Sequence, residues 1–256
     1  MQRPIAALRI PGLVGPIGLA ALGGLAALGG CVASGGDESI LVVKAVAPPT
    51  TATGGGVCMF TASDAEAGLS HGVLDVTSDA GYQFIAQIKS RIIAASGQED
   101  ARTIFLRGAN VDLTFPDATL ATQVATLQSQ GLLHFMAPIS ASLPPNGSLA
   151  DVPFELVPAG VAAELKKTTD FTSTVVQATF TIVGDLAGGN LSSQEFHYSV
   201  TLGNQNLRID NGLCSTVPTS FKPRTGNPCY PGQDFVVDCC GVTSTMLKCP
   251  AVGTKM

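Results

Sequence analysis

Five cysteines, Cys214, Cys229, Cys239, Cys240 and Cys249, crowd into one 36-residue stretch that also holds Pro218, Pro223, Pro228 and Pro231. The apolar side chains there, Val217, Phe221, Phe235, Val236, Val237 and Leu247, are too few to bury a core of their own. Order in such a segment has to come from covalent crosslinks, as in small domains that cannot build a sufficient core. Cys58 is a sixth candidate for pairing, far upstream. Six cysteines allow fifteen pairings, and the sequence does not choose among them. Adjacent Cys239 and Cys240 are expected to take different partners, because bridging neighbours strains the peptide between them. If all six pair, one bridge must join the tail to the body through Cys58. Each closure of ten to thirty residues contributes on the order of 3 kcal/mol in the chain-entropy model. A metal would need thiolates at short spacing or histidines beside them. The nearest histidine is His197, so no metal is expected.

The seventh cysteine has a different setting. Arg3 and Arg9 precede an apolar stretch, Ile10 to Leu28, without a charged side chain, which reads as an export signal over residues 1–30. Pro11, Pro16 and six glycines between Gly12 and Gly29 weaken it as a membrane-spanning helix. It ends at Leu28-Gly29-Gly30-Cys31, which resembles the lipobox of bacterial lipoproteins. That resemblance implies that Cys31 becomes the acylated first residue of the mature protein. Several fatty-acyl chains hold a protein stably, since each buried methylene adds about 0.8 kcal/mol. The next residue is Val32 rather than Asp, which by the lipoprotein sorting rule implies the outer membrane. Residues 31–38 form a flexible tether spanning about 15 Å, so the folded body is expected close to the bilayer.

After residue 30 the chain keeps 12 Lys plus Arg and 19 Asp plus Glu, with 41 Ser plus Thr. Only 13% of the whole chain is charged, against about 25% in an average soluble domain. With no basic cluster there is no footprint for nucleic acid. With 45% apolar residues the chain is also far from a disordered composition.

Short alternating or continuous apolar runs between turn signals predict an all-β body over 39–210, an immunoglobulin-like Greek-key β-sandwich, followed by a disulfide-stapled irregular tail over 211–256. The expected strands are Ile40 to Val46, Val57 to Thr61, Val73 to Thr77, Tyr82 to Ile92, Arg102 to Leu106, Val111 to Phe115, Leu132 to Ile139, Val152 to Val157, Thr174 to Val183 and Glu195 to Leu202. Alternation places Val176, Ala178, Phe180 and Ile182 on one buried face. Gly184 to Asn190 reads as a hairpin connection. Ile85, Ile88 and Ile92 also share a helical face, but their β-branching favours strand. A short helix is expected within Asp117 to Gln130, begun by Asp117 and ended at Gly131, and a second over Val161 to Lys167 after Pro158. There is no internal repeat.

The tail, Asn227-Pro228-Cys229-Tyr230-Pro231-Gly232-Gln233-Asp234 followed by Val236 to Cys240 and Lys248-Cys249-Pro250, resembles the C-terminal segment of uncharacterised predicted lipoproteins of the myxobacterial type. The resemblance covers the lipobox and roughly the last 40 residues. It implies location and a β-rich body before the tail, and it lends no activity.

Gly68-Leu69-Ser70-His71-Gly72 fits the Gly-x-Ser-x-Gly elbow of serine hydrolases, in which Ser70 would be nucleophile with His134 or His197 as base. The elbow needs a strand-to-helix turn, whereas polar Ser63 to Ala67 precedes it and strand-like Val73 to Val76 follows, so a turn between strands is the better reading. His71, His134 and His197 are too scattered for a ligand motif. Asp37, Glu38, Asp64, Glu66, Asp75, Asp79, Asp234 and Asp238 form no calcium loop and read as solvated acids. No glycine-rich loop is set to cradle phosphate. With no Trp and only Tyr82, Tyr198 and Tyr230, there is no aromatic platform for sugars. The sequence therefore points to a lipid-anchored cell-envelope structural or interaction protein, without catalytic residues or cofactor, held to the membrane by lipid and partnered by an envelope protein or polymer. The alternatives are an envelope serine hydrolase using Ser70 and a ligand-binding lipoprotein.

Overall fold

The computed structural model describes residues 39–48, 58, 60–218, 220–243 and 246–250. The expected leader 1–30, Cys31 and the tether lie outside the described residues. The strands are β1 Ile40–Val46, β2 Gly68–Leu69, β3 Gly72–Asp75, β4 Tyr82–Ser90, β5 Ile104–Thr114, β6 His134–Leu143, β7 Leu149–Val157, β8 Ser173–Leu186, β9 Gly189–Ser192, β10 Phe196–Gly203, β11 Arg208–Leu213, β12 Val237–Thr243 and β13 Met246–Lys248. Two short helices, α1 Ala121–Ser129 and α2 Ala159–Leu165, complete a mostly β chain.

One sheet runs β2-β1-β4-β7, all antiparallel. A second runs β3-β10-β8-β5-β6 with β9 folded back on β8, and its β3–β10 pair is parallel. Both sheets supply one apolar cluster. At its centre the Phe84 ring of β4 lies 5.5 Å from Phe154, 5.1 Å from Phe180, 6.0 Å from Phe196 and 4.8 Å from Tyr198. Edge-on and tilted contacts of this kind add to area burial, which alone is worth about 1.5–3 kcal/mol per large side chain. Val176, Ala178, Phe180 and Ile182 all point inward from β8, as alternation requires.

Arg102 to Leu106 and Val111 to Phe115, expected as two strands, are one strand, β5. Its register shifts between Leu106 and Gly108 on both neighbours: against β8, Arg107 is an added residue on β5 that reverses the in-out parity, and against β6 the added residue lies on β6. Gly108 and Ala109 are consecutively buried, which breaks the alternation a reader of the sequence looks for. Val73 to Thr77 stops early as strand because the Asp75 carboxylate accepts from the Thr77 amide at 2.9 Å and starts a single 3-10 turn, Val76–Ser78. The Gly184 to Asn190 connection is tighter than expected: Ala187 and Gly188, at φ 49° and 83°, form the whole turn between β8 and β9. α1 follows a 3-10 turn opened by Asp117, and Gly131 at φ 71° closes the segment. α2 begins two residues before the expected Val161 and buries Val161, Ala162 and Leu165.

Two expectations are corrected. Of Val57 to Thr61, Val57 and Met59 lie outside the described residues, and Cys58, Phe60 and Thr61 are not in a strand; Cys58 is bonded to Cys229 instead, with Phe60 stacked 6.4 Å from Tyr230. Among the described residues the tail is irregular over 214–236, where turns and isolated bridges replace strands, but not throughout. β11, β12 and β13 form a third sheet, with β11–β12 parallel and β12–β13 antiparallel. Disulfides Cys214–Cys240 and Cys239–Cys249 fasten it, so it keeps strand pairing with little apolar surface to bury. β11 runs across residue 210, so its first residues come from the stretch read as body.

Candidate functional site

The larger sheet presents one face outward. In-register pairing lines up His134 of β6, Asp112 of β5, Thr179 of β8 and His197 of β10 in one row across four strands. Their inward-facing neighbours Val111, Leu113, Ala178, Phe180 and Tyr198 are buried, so the row faces out. His134 Nδ1 pairs with the Asp112 carboxylate, and His197 Nδ1 lies 3.0 Å from Thr179 Oγ1. One step along the strands, Met136, Asn110 and Thr181 make a second row. On the other side the Ser199 hydroxyl donates to Gln177 Oε1 at 2.8 Å. Phe105 and Met136, each 59% exposed, supply apolar surface among these polar groups.

Beside the second row is a cavity of about 550 Å³ lined by Arg107, Asn110, Met136, Val183, Asn190 and Leu191. The bulge on β5 aims Arg107 there. Its guanidinium is held by Asp185 at 2.8 Å and by Asn190 Oδ1 at 2.8 Å, across the turn that closes the β8–β9 hairpin. The face thus combines imidazole, amide, hydroxyl and guanidinium groups on rigid strands. Those groups can both donate and accept hydrogen bonds. Thr179 is the hydroxyl nearest an imidazole, but β8 is paired on both sides, so its ladder amides are not free to stabilise an oxyanion.

Ser70 sits in the short link between β2 and β3, which belong to different sheets, and its Oγ lies 3.3 Å from Nδ1 of neighbouring His71. His134 and His197 are engaged on the outward face with Asp112 and Thr179, so the structure does not bring either to Ser70. Both histidines are exposed on their strands. Of the acids, Asp75 binds Arg208 at 3.1 Å, Asp79 binds Lys166 and Asp238 binds Arg224 at 2.7 Å, while Asp37 and Glu38 lie outside the described residues. Asp64 and Glu66 lie in the loop after β1. Among the described residues no three of His, Cys, Asp and Glu gather as a metal set.

The Pro231 to Asp234 element, which the sequence offers without a role, docks the tail on the body. Gln233 behaves as a strand: its Oε1 accepts from the Gln83 amide at 2.9 Å and its Nε2 donates to the Gln83 carbonyl at 2.6 Å. The Asp75 amide donates to the Gly232 carbonyl at 2.8 Å, and the Asp234 amide to the Val73 carbonyl at 2.9 Å. The Asp234 carboxylate accepts from the Val73 amide at 2.9 Å and from the Tyr82 hydroxyl at 3.1 Å. Burial raises the Asp234 carboxyl against the hydrogen bonds that favour its charge, and burial raises Tyr82 and Tyr198 as well. Tyr82 and Tyr198 are therefore internal pillars of this seam, and the Cys58–Cys229 disulfide fastens it covalently. No protein-family model matches the chain, and no curated protein matches it.

Proposed function

We propose that this chain is an exported, lipid-anchored protein of the outer membrane that acts as a non-catalytic structural or interaction module, with the outward face of the large sheet as its contact surface. The observation that carries the reading is the pairing of Cys58, Cys214, Cys229, Cys239, Cys240 and Cys249 into three disulfides, which persist in oxidising compartments and are rare where thiols are kept reduced. The Leu28 to Cys31 lipobox adds the anchor. Two sheets around one core, with the β3–β10 and β5–β8 crossovers, support an immunoglobulin-like Greek-key sandwich as the finer description. The row from His134 to His197 with its adjoining cavity supports an envelope protein or polymer as partner.

Expression of the full chain in a bacterial envelope, followed by membrane fractionation and mass analysis of the N-terminal peptide, tests the anchor. An acylated Cys31 in the outer-membrane fraction, lost in Cys31→Ala, is the expected result; a soluble, unacylated protein overturns it. Photocrosslinking from position 136 in intact cells tests the face. A discrete adduct that disappears in His134→Ala/His197→Ala is expected. Labelling by a serine-directed fluorophosphonate that is lost in Ser70→Ala would replace the non-catalytic reading.

A further inference from the structure

Across the outer side of the four-stranded sheet, away from the aromatic core, Lys44, Gln87 and Asp151 stand in register on β1, β4 and β7. The loop carrying Ser63 to Glu66 lies over them. Lys44 Nζ donates to the Glu66 carbonyl at 2.6 Å and the Asp64 carbonyl at 3.2 Å, which pins the loop through its backbone.

Gln87 is 0% exposed, and its Nε2 faces three oxygens: the Ser63 carbonyl at 2.9 Å, Glu66 Oε2 at 3.0 Å and Asp151 Oδ1 at 3.3 Å. One amide nitrogen has two protons and cannot satisfy three acceptors. Meanwhile Gln87 Oε1 and Asp151 Oδ2 are buried with no hydrogen-bond partner. Three oxygens therefore share two amide protons, and the Ser63 amide also reaches Glu66 Oε2 at 3.3 Å. Buried polar atoms without partners are uncommon and costly.

We propose that Glu66, Asp151, Gln87 and the Ser63 carbonyl form a calcium site, with the Gln87 amide turned over so that Oε1 faces the ion. Nitrogen and oxygen of an amide exchange places on such a turn, and their assignment follows from the surrounding network. The turned Oε1 would then lie 2.9, 3.0 and 3.3 Å from its three oxygen neighbours. Oxygens packed around one ion at bonds of about 2.3–2.6 Å are separated by roughly that much. The donors are all hard oxygens from carboxylate, amide and carbonyl, with no imidazole or thiolate, which suits calcium and not zinc. Occupancy would lock the loop that follows Cys58 onto the sheet.

Thermal unfolding of the full chain in EDTA and in about 10 mM calcium chloride, with calorimetric titration of calcium, tests the site. Extracellular modules bind calcium at about 10⁻⁴–10⁻³ M, so Tm is expected to rise by roughly 3–10 °C with a stoichiometry near one. Glu66→Gln and Asp151→Asn, near-isosteric changes, should each weaken calcium binding at least about tenfold and abolish most of the shift, while Asp185→Asn leaves it intact. Either of two results overturns the proposal: no calcium-dependent shift in the unsubstituted protein, or an equal shift in Glu66→Gln and Asp151→Asn. A Tm that ignores calcium but rises in EDTA on Asp151→Asn overturns it in favour of a carboxyl pair sharing a proton.

Discussion

Replacing Cys58 and Cys229 together by alanine removes the bridge between tail and body, which spans 171 residues of sequence, whereas the Cys239–Cys249 bridge spans 10. In the folded state Gln233, Asp234 and the Asp75–Arg208 pair still hold the seam, so the effect falls mainly on the unfolded chain. The chain-entropy model assigns about 5 kcal/mol to closing the long loop and about 3 kcal/mol to the short one. For a domain of this size 1 kcal/mol moves Tm by about 2–4 °C, so losses of roughly 10–20 °C and 5–12 °C are expected. Urea unfolding of the two double-alanine variants beside the parent supplies the check. The m-value should also rise, more for Cys58/Cys229, because the freed unfolded chain exposes more surface. If loss of Cys239–Cys249 destabilises as much as loss of Cys58–Cys229, or if the m-value does not change, loop closure is not what these bridges contribute.

Tyr82→Phe leaves the Asp234 carboxylate with one donor fewer in a buried seam and should cost about 1–3 kcal/mol by chemical denaturation, with the aromatic core intact by near-ultraviolet dichroism. In Gly72→Ala the new Cβ would lie 2.4 Å from the Tyr82 ring, which Asp234 and Tyr198 hold in place, so overpacking should cost about 1–3 kcal/mol and lower Tm. Arg224, bonded to both Asp238 oxygens, holds that carboxyl well below the usual carboxylate range. A depressed folded value stabilises fully above the unfolded carboxylate range near 4 and drains away as pH falls through it. Asp238→Asn should flatten the acid limb of a Tm-against-pH curve, and an unchanged limb would contradict the role given to Arg224.

Strands whose burial follows a clean alternation were legible in the sequence. β8 reads directly because Val176, Ala178, Phe180 and Ile182 keep one parity. β5 does not, because its bulge reverses parity at Gly108, and no local pattern announces an added residue. The tail sheet escaped for another reason: its strands are fastened by cysteines and short ladders, so the hydrophobic signal that marks a strand is nearly absent. That six cysteines stand apart from Cys31, and that Cys58 must then tie to the tail, could be read, but the partners could not, because they depend on β11 lying beside β12. The outward face was half legible. His134 and His197 could be placed on strands, yet only the register of three pairings sets them in line with Asp112 and Thr179. Gln233 was invisible as a strand substitute, since side chains that imitate backbone carry no periodicity.

The four-residue strand β3 has a consequence for how the molecule is made. Its pairing partners are residues 200–203 of β10 on one side and Gly232 to Asp234 on the other, all far downstream. Residues 72–75 therefore cannot settle until Gly232 to Asp234 have been synthesised, and contacts of such sequence separation form slowly. A ribosome-bound or truncated chain ending before Gly232 would leave one edge of β3 and the polar end of Tyr82 open, as a sticky intermediate. Completion of this part of the fold is thus timed by the arrival of Gly232 to Asp234, which makes that segment a checkpoint on the folding of β3.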